Sequence, residues 1–258
     1  MFLAPRAMPA SSAASFILAL LLSFSAIAAE EAGRIVHTSG TVGIQAADGA
    51  VRLASLNSSV RVGDTVTTEK SSVVRLQFKD GAQITLRPET SYRVDQYNYQ
   101  ENSPQQDSFA SSLLKGGMRA ITGLVGKRGN QDAYKQDVKV ATMGIRGTRY
   151  GVRLCESSDI DGKSVSNCND IVSIGKADSV PKDGLFVEVT EGAVSIANQA
   201  GEKIVRIGEF SYVPDIRSLP VLLPTDPGIG SSLPSDLAVR PGSGGLLGFG
   251  DTASCTLK

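Results

Sequence analysis

The 258-residue chain has one histidine, no tryptophan and three cysteines, and its 26 basic side chains are matched by 26 acidic ones. Each scarcity removes a class of function. With His37 alone, a Ser–His or Cys–His nucleophilic arrangement would depend wholly on that residue, and no second histidine exists to share a zinc ion. A lone histidine at the edge of a first strand reads as a surface or satisfied residue. A formal charge of zero gives no field of the kind that gathers nucleic acid or a bulk anionic membrane. Long hydrophobic runs are missing as well. The one apolar stretch, residues 16–28, is shorter than the roughly 20 residues a spanning helix needs.

That stretch follows Arg6, the sole charge before residue 29. It ends in Ala26-Ile27-Ala28, a small-x-small pattern followed by Glu30-Glu31. The pattern predicts an export signal over residues 1–28, cleaved near Ala28, and a periplasmic or secreted mature chain with no transmembrane segment. No cysteine follows the signal directly, so no lipid anchor is expected. In an oxidising compartment Cys155 and Cys168 are expected to close a local disulfide around a polar loop, stabilising by about 3 kcal/mol in the chain-entropy model. Three fates stay open for Cys255: free, paired between molecules, or exchanged with one of the other two. The cysteine spacings match no zinc pattern, and neither a metal nor a cofactor is expected.

What is present is β signal. Gly40-Thr41-Val42-Gly43-Ile44 alternates, Asp48-Gly49 is a hairpin dipeptide, and Val51 and Leu53 resume the alternation. Val74, Leu76 and Phe78 mark one face of a strand, and Asp80-Gly81 turns it back into Ile84 and Leu86, with Thr85 and Arg87 expected to face out. Gly40-x-Val42-x-Ile44-x4-Gly49 recurs as Gly192-x-Val194-x-Ile196-x4-Gly201. Each copy is followed by an apolar-Gly-acid step, Val62-Gly63-Asp64 and Ile207-Gly208-Glu209. Residues 109–125 carry Gly116, Gly117 and Gly123 among apolar positions, which predicts irregular strands or one short helix. From Pro214 on, six prolines and seven glycines predict an extended tail. The expected architecture is all-β, an antiparallel sandwich or roll of hairpins over residues 29–213, with a Pro/Gly-rich C-terminal tail over 214–258.

Candidates for catalysis are few. Asp64, Glu69, Asp80, Glu188 and Glu191 could in principle pair for glycan hydrolysis, but Asp64, Asp80 and Glu191 adjoin glycines and read as turn chemistry. Gly126-Lys127-Arg128 lacks the P-loop's earlier glycine and its Ser or Thr, since Ile121 and Arg128 hold those positions. The chain is therefore expected not to be an enzyme. Between residues 111 and 154 lie Lys115, Arg119, Lys127, Arg128, Lys135, Lys139, Arg146, Arg149 and Arg153, opposed only by Asp132 and Asp137. Lys115, Arg119, Lys127, Arg128, Arg146 and Arg149 are the candidate partner-binding residues. On one shared face they would meet acidic proteins or anionic envelope polymers. Arg146, bracketed by Gly144 and Gly147, is expected to be a buried structural clamp before a ligand-binding group.

In this order, Gly63-Asp64 with Thr67-Thr68, then Phe78-x-Asp80-Gly81 with Ile84 and Leu86, resembles the FecR domain. So do Leu114-Lys115-Gly116-Gly117-Met118-Arg119-Ala120…Gly123 and Gly144-Ile145-Arg146-Gly147-Thr148. The resemblance covers residues 33–150, with a continuation over 151–213. It implies a β-rich periplasmic module. Regulatory members of that family contact an outer-membrane receptor and relay its state through a transmembrane helix to a sigma-factor-binding segment. This sequence shows neither of those relay parts. The resemblance therefore implies a non-catalytic module docking on an envelope protein or anionic envelope polymer, with no nucleic acid partner. A self-associating structural component of the envelope is the alternative, and an envelope-glycan hydrolase the third reading.

Overall fold

The period-two pattern around Asp80-Gly81 folds as read: Val74, Leu76, Phe78, Ile84 and Leu86 are buried in a hairpin that pairs Val74 with Leu86 and Leu76 with Ile84. The computed structural model describes residues 30–161, 163–168, 171 and 183–229. The expected signal segment, Cys255 and the last part of the expected tail lie outside the described residues.

In chain order the strands are β1 (Glu31–Ser39), β2 (Val42–Gln45), β3 (Val51–Leu53), β4 (Ser59–Arg61), β5 (Thr65–Thr68) and β6 (Val73–Phe78). There follow β7 (Gln83–Leu86), β8 (Ser91–Asn98), β9 (Ser108–Ile121), β10 (Tyr134–Val138) and β11 (Ala141–Cys155). The last six are β12 (Ser157–Ile160), β13 (Lys163–Ser166), β14 (Gly184–Asn198), β15 (Gly201–Arg206), β16 (Phe210–Val213) and β17 (Val221–Leu223).

Three long strands, β9, β11 and β14, organise everything else, because each belongs to two half-sheets. The first half of β9 pairs with β8 and β10, whereas its second half pairs with β7 and β11. The first half of β11 pairs with β10 and its second half with β9, while β14 accompanies it along nearly its whole length. The start of β14 also pairs with β16 and its end with β15. One half-sheet therefore runs β3-β2-β5-β8-β9-β10-β11-β14-β15, and the other runs β4-β1-β6-β7-β9-β11-β14-β16-β17. Their inward residues, such as Val66, Tyr92 and Ile196 against Leu76, Met118 and Val187, form one continuous apolar core. Among the described strands all pairings are antiparallel except β9 with β10, which is parallel, as is the isolated bridge between Val125 and Arg128.

A strand that passes from one half-sheet to the other must bend sharply, and each of the three does so at a left-handed glycine: Gly116, Gly147 and Gly192, with φ of 83°, 61° and 77°. The stretch 109–125, expected as irregular strands or a short helix, is strand through Ile121. Gly116 is its corner, Gly117 lies against Val152 and Arg153, and Gly123 against Asp80.

The internal repeat is real and forms the two opposite edges of the first half-sheet. β2–β3 is one edge hairpin, and the end of β14 with β15 is the other. The following steps share a device. The Arg61 amide donates to Asp64 Oδ2 at 3.0 Å, and the Arg206 amide donates to Glu209 Oε2 at 2.7 Å.

Two expectations are corrected. Thr85 and Arg87 do not face solvent: Thr85 accepts from Arg75 Nε at 3.3 Å, and Arg87 donates to the Ile229 carbonyl at 3.0 Å, so both are buried. The same contact involves the segment after residue 214. β17 adds to the sheet beside β16, and Ile229 is buried on the outer face with Phe186, Tyr212 and the cysteine pair.

The corners generate a prediction. A Cβ at Gly192 would lie 2.6 Å from the Gly147 carbonyl, joining two corners, whereas one at Gly208 (φ 79°) meets nothing within 4 Å. Gly192→Ala is expected to lower the unfolding free energy by about 3 kcal/mol and Gly208→Ala by about 1 kcal/mol, read from urea denaturation midpoints. Equal losses would show that corner crowding contributes nothing.

Candidate functional site

The basic residues of the central segment do not form one patch. Arg119 and Arg149 lie on the outer face of the second half-sheet and are answered by Glu188 and Glu191, each at 3.4 Å. Arg146 is exposed on the first half-sheet and pairs with Asp132 at 2.7 Å; the buried clamp expected there is absent because β11 presents this side chain outward at its corner. The clamp is Arg128 instead. Its guanidinium bonds Asp107 at 3.1 Å, whose carboxylate is wholly buried, and the carbonyls of Glu101 and Gln100, while stacking on Tyr99. Lys139 pairs with Glu156 at 2.7 Å. Lys115, Lys127 and Lys135 are exposed, and their ammonium groups make no hydrogen bond or ion pair among the described residues.

Lys115 has a setting the other two lack. It sits at the β9 corner, on the rim of a groove of about 920 Å³ that Lys70, Arg87, Glu89, Arg153 and the β12–β13 hairpin also line. Two threonines behind the lining tie together the wall that carries Lys70 and Lys115. Thr68 Oγ1 donates to the Arg87 carbonyl at 2.5 Å and accepts from the Thr90 amide at 2.9 Å. Thr90 Oγ1 donates to the Gly117 carbonyl at 2.9 Å and accepts from the Gly117 amide at 3.0 Å. These bonds bring the turn holding Lys70, the turn after β7 and the β9 corner together, although 45 residues separate Lys70 from Lys115.

The other wall is fixed at its base. Cys155 and Cys168 form the expected disulfide, with Cα atoms 5.4 Å apart, and both are fully buried. Asn167 closes the hairpin: its Oδ1 accepts from the Glu156 amide at 2.8 Å, and its Nδ2 donates to the Leu154 carbonyl at 3.2 Å. Arg153 Nη2 donates to the Asn167 carbonyl at 3.2 Å. Sequence reasoning found the disulfide; Lys115 was among its candidates, whereas Lys70 was not, because its turn carries no motif and only the pairing of distant strands places it beside the β9 corner.

The candidate carboxylates have structural work. Asp64 accepts from the Arg61 amide and from Arg52. Asp80 accepts from the amides of Ala82 and Val125 and from the Tyr97 hydroxyl, fixing the hairpin turn against the loop after β9. Burial raises the ionisation of Tyr97 well above its ordinary range, and the Asp80 charge adds to this. Glu69 is exposed. His37 sits opposite Arg75 in β1. Among the described residues no group of three or more His, Cys, Asp or Glu is placed to hold a metal ion, and no helix is long and apolar enough to cross a membrane.

These ion pairs differ in what they stabilise. Arg128→Ala leaves the buried Asp107 carboxylate with the Gln100 amide (3.0 Å) and is expected to cost about 2 kcal/mol, while Arg146→Ala is expected to cost less than about 0.5 kcal/mol. Chemical denaturation of both variants checks the ranking. Glu188 gives a pH signature. Burial raises its pKa, Arg119 pulls it partly back, and Asp226 raises it again. The folded chain therefore holds this proton at higher pH than the unfolded one, so stability declines as pH rises from the ordinary carboxylate range through the raised value. Unfolding free energies at steps from about pH 4 to about pH 7 are expected to show that decline, flattened in Glu188→Gln; an unchanged slope would remove Glu188 as its source.

No curated protein matches the chain. Among solved structures, a cell surface anchoring domain aligns at 27% identity over 24% of this chain and 82% of its own, with a TM-score of 0.24. A proposed anti-sigma factor from Parabacteroides distasonis, solved in two crystal structures, aligns at 11% identity with a TM-score of 0.42. That alignment spans 63% of this chain and 60% of that one. Overlaps this loose carry no argument about function. The FecR protein family model matches residues 64–195, from the Asp64 turn through the Asp80-Gly81 hairpin and all three glycine corners into the second edge hairpin. With just over half of its length matched, the chain belongs to the FecR family.

Proposed function

We propose that this chain is a non-catalytic interaction module of the cell envelope, periplasmic or secreted, that docks on an envelope protein or an anionic envelope polymer. In this reading residues 1–28 are removed on export and the β domain that follows is the docking unit. Family membership supports an interaction module. The buried disulfide supports an oxidising compartment. The observation that carries the docking role is the groove with two uncompensated lysines on its rim, on a chain whose basic and acidic residues are equal in number.

The self-association reading has its own observation. The Ala54 amide donates to the Val42 carbonyl and the Ala46 amide to the Ala50 carbonyl, both at 2.8 Å, so the backbone groups of Val51 and Leu53 point to the open edge of β3. Their side chains are 74% and 79% exposed, where edge strands ordinarily carry charge. An antiparallel copy centred on Arg52 would set Val51 opposite Leu53.

Crosslinking of the tagged protein in its native envelope, followed by mass spectrometry, separates the two. The docking role predicts a discrete partner that is lost in a folded Lys70→Glu/Lys115→Glu variant. Capture of only the protein's own copies, abolished by Leu53→Lys and indifferent to the lysines, would replace docking by self-assembly.

A further inference from the structure

We infer that the groove beneath the β12–β13 hairpin binds an anionic saccharide, a hydroxyl-rich chain bearing carboxylate or phosphate groups. This deepens the docking role proposed above and rests on it. Charge is the first argument. Lys70, Arg87, Lys115 and Arg153 line the groove against Glu89 and Glu156, four positive groups to two negative, on a chain whose total is zero. Glu156 is further answered by Lys139. The two arginines are nearly buried and committed to the frame through the carbonyls of Ile229 and Asn167. The ligand's charge falls to Lys70 and Lys115, exposed on the two sides of the corner with no partner among the described residues. Lys127 and Lys135 are equally unpaired but do not line the groove.

The remaining lining selects the ligand class. Ser157 and Ser158 present hydroxyl oxygens that donate to Asp183 and to the Val165 carbonyl and keep lone pairs free to accept, beside the apolar surface of Ile160 and Val165, while the Asn167 amide is committed to the hairpin. That mixture suits a sugar ring, which presents hydroxyl edges and an apolar face. The lining holds no aromatic side chain, so it offers no platform on which a nucleobase could stack. The volume, about 920 Å³, lies within the range of small-ligand clefts and accommodates a few sugar units of a longer chain. The threonine-tied wall and the disulfide-anchored hairpin are both set before the ligand arrives, which reduces the ordering cost of binding.

Calorimetric titration of the full-length exported chain, disulfide intact, tests the assignment. The probes are tetragalacturonate, its methyl ester, a phosphorylated disaccharide and tetraglutamate. One or both acidic saccharides are expected to bind, more weakly as sodium chloride is raised, and which of them binds identifies the carboxylate or phosphate source. The ester is expected to lose at least about tenfold, and Lys70→Gln and Lys115→Gln to lose about three- to tenfold each, with Lys127→Gln unchanged. Equal binding of the ester, an equal loss in Lys127→Gln, or tighter binding of tetraglutamate than of either saccharide would overturn the assignment. Failure of both acidic saccharides, with an envelope protein still captured through Lys70 and Lys115, would overturn the saccharide and leave the docking role. Failure of both experiments would overturn both.

Discussion

Sharing three strands between two half-sheets imposes one constraint on the whole molecule: the backbone must turn a corner within each of β9, β11 and β14. The Gly192 corner packs directly on the Gly147 carbonyl, whereas the Gly116 corner lies farther along the β9–β11 ladder, opposite Leu154 and against Glu89 and Thr90. The register of one half-sheet therefore fixes that of the other, since a slip of one residue in any shared strand would misplace its corner glycine and reverse its buried face. The groove is a consequence of the same geometry. Lys115 is the last residue of β9 in the first half-sheet, paired with Ser91, and Gly117 already pairs with Arg153 in the second. The cleft lies where the two surfaces part.

Charge counted along the sequence differs from charge available in space. Nine basic residues over a short segment with two acids suggest a positive patch, yet Arg119, Arg128, Lys139, Arg146 and Arg149 all meet carboxylates, four of them drawn from outside that segment. Glu188 and Glu191 reach the arginines of β11 and β9 only because β14 lies beside β11. Neutralisation is a property of strand pairing. What survives is a smaller set of lysines, and only their placement relative to a concave surface separates a binding group from a solvated one.

This explains how far the sequence could be read. Local chemistry was legible: the period-two hairpin at Asp80-Gly81, the apolar-Gly-acid steps of the internal repeat, the Cys155–Cys168 pair and the all-β class each depend on residues close in sequence. Non-local chemistry was not. Thr85 and Arg87 alternate like solvent-facing positions and are buried because the Arg75 side chain and the segment reaching Ile229 cover them. The three glycines of residues 109–125 weaken any helix, as expected, but their purpose is a corner, a close strand approach and a contact with Asp80. Arg146, between Gly144 and Gly147, is exposed; Arg128, between Gly126 and Gly129 at the same spacing, is the clamp, so the bracketing glycines do not distinguish the two. Lys70 was invisible because nothing in its turn announces the β9 corner it faces.

The arrangement of the disulfide gives the groove a dependence the core does not share. Cys155 and Cys168 belong to a small outer cluster with Phe186, Tyr212 and Ile229, separate from the main core, which draws on all the principal strands without them. The bond closes the loop whose hairpin forms one groove wall, while the opposite wall is held by Thr68 and Thr90 through hydrogen bonds insensitive to redox state. Loss of the bond would therefore relax one wall and leave the two half-sheets packed. The geometry of that wall depends on a single covalent link, and the folded scaffold depends on it far less.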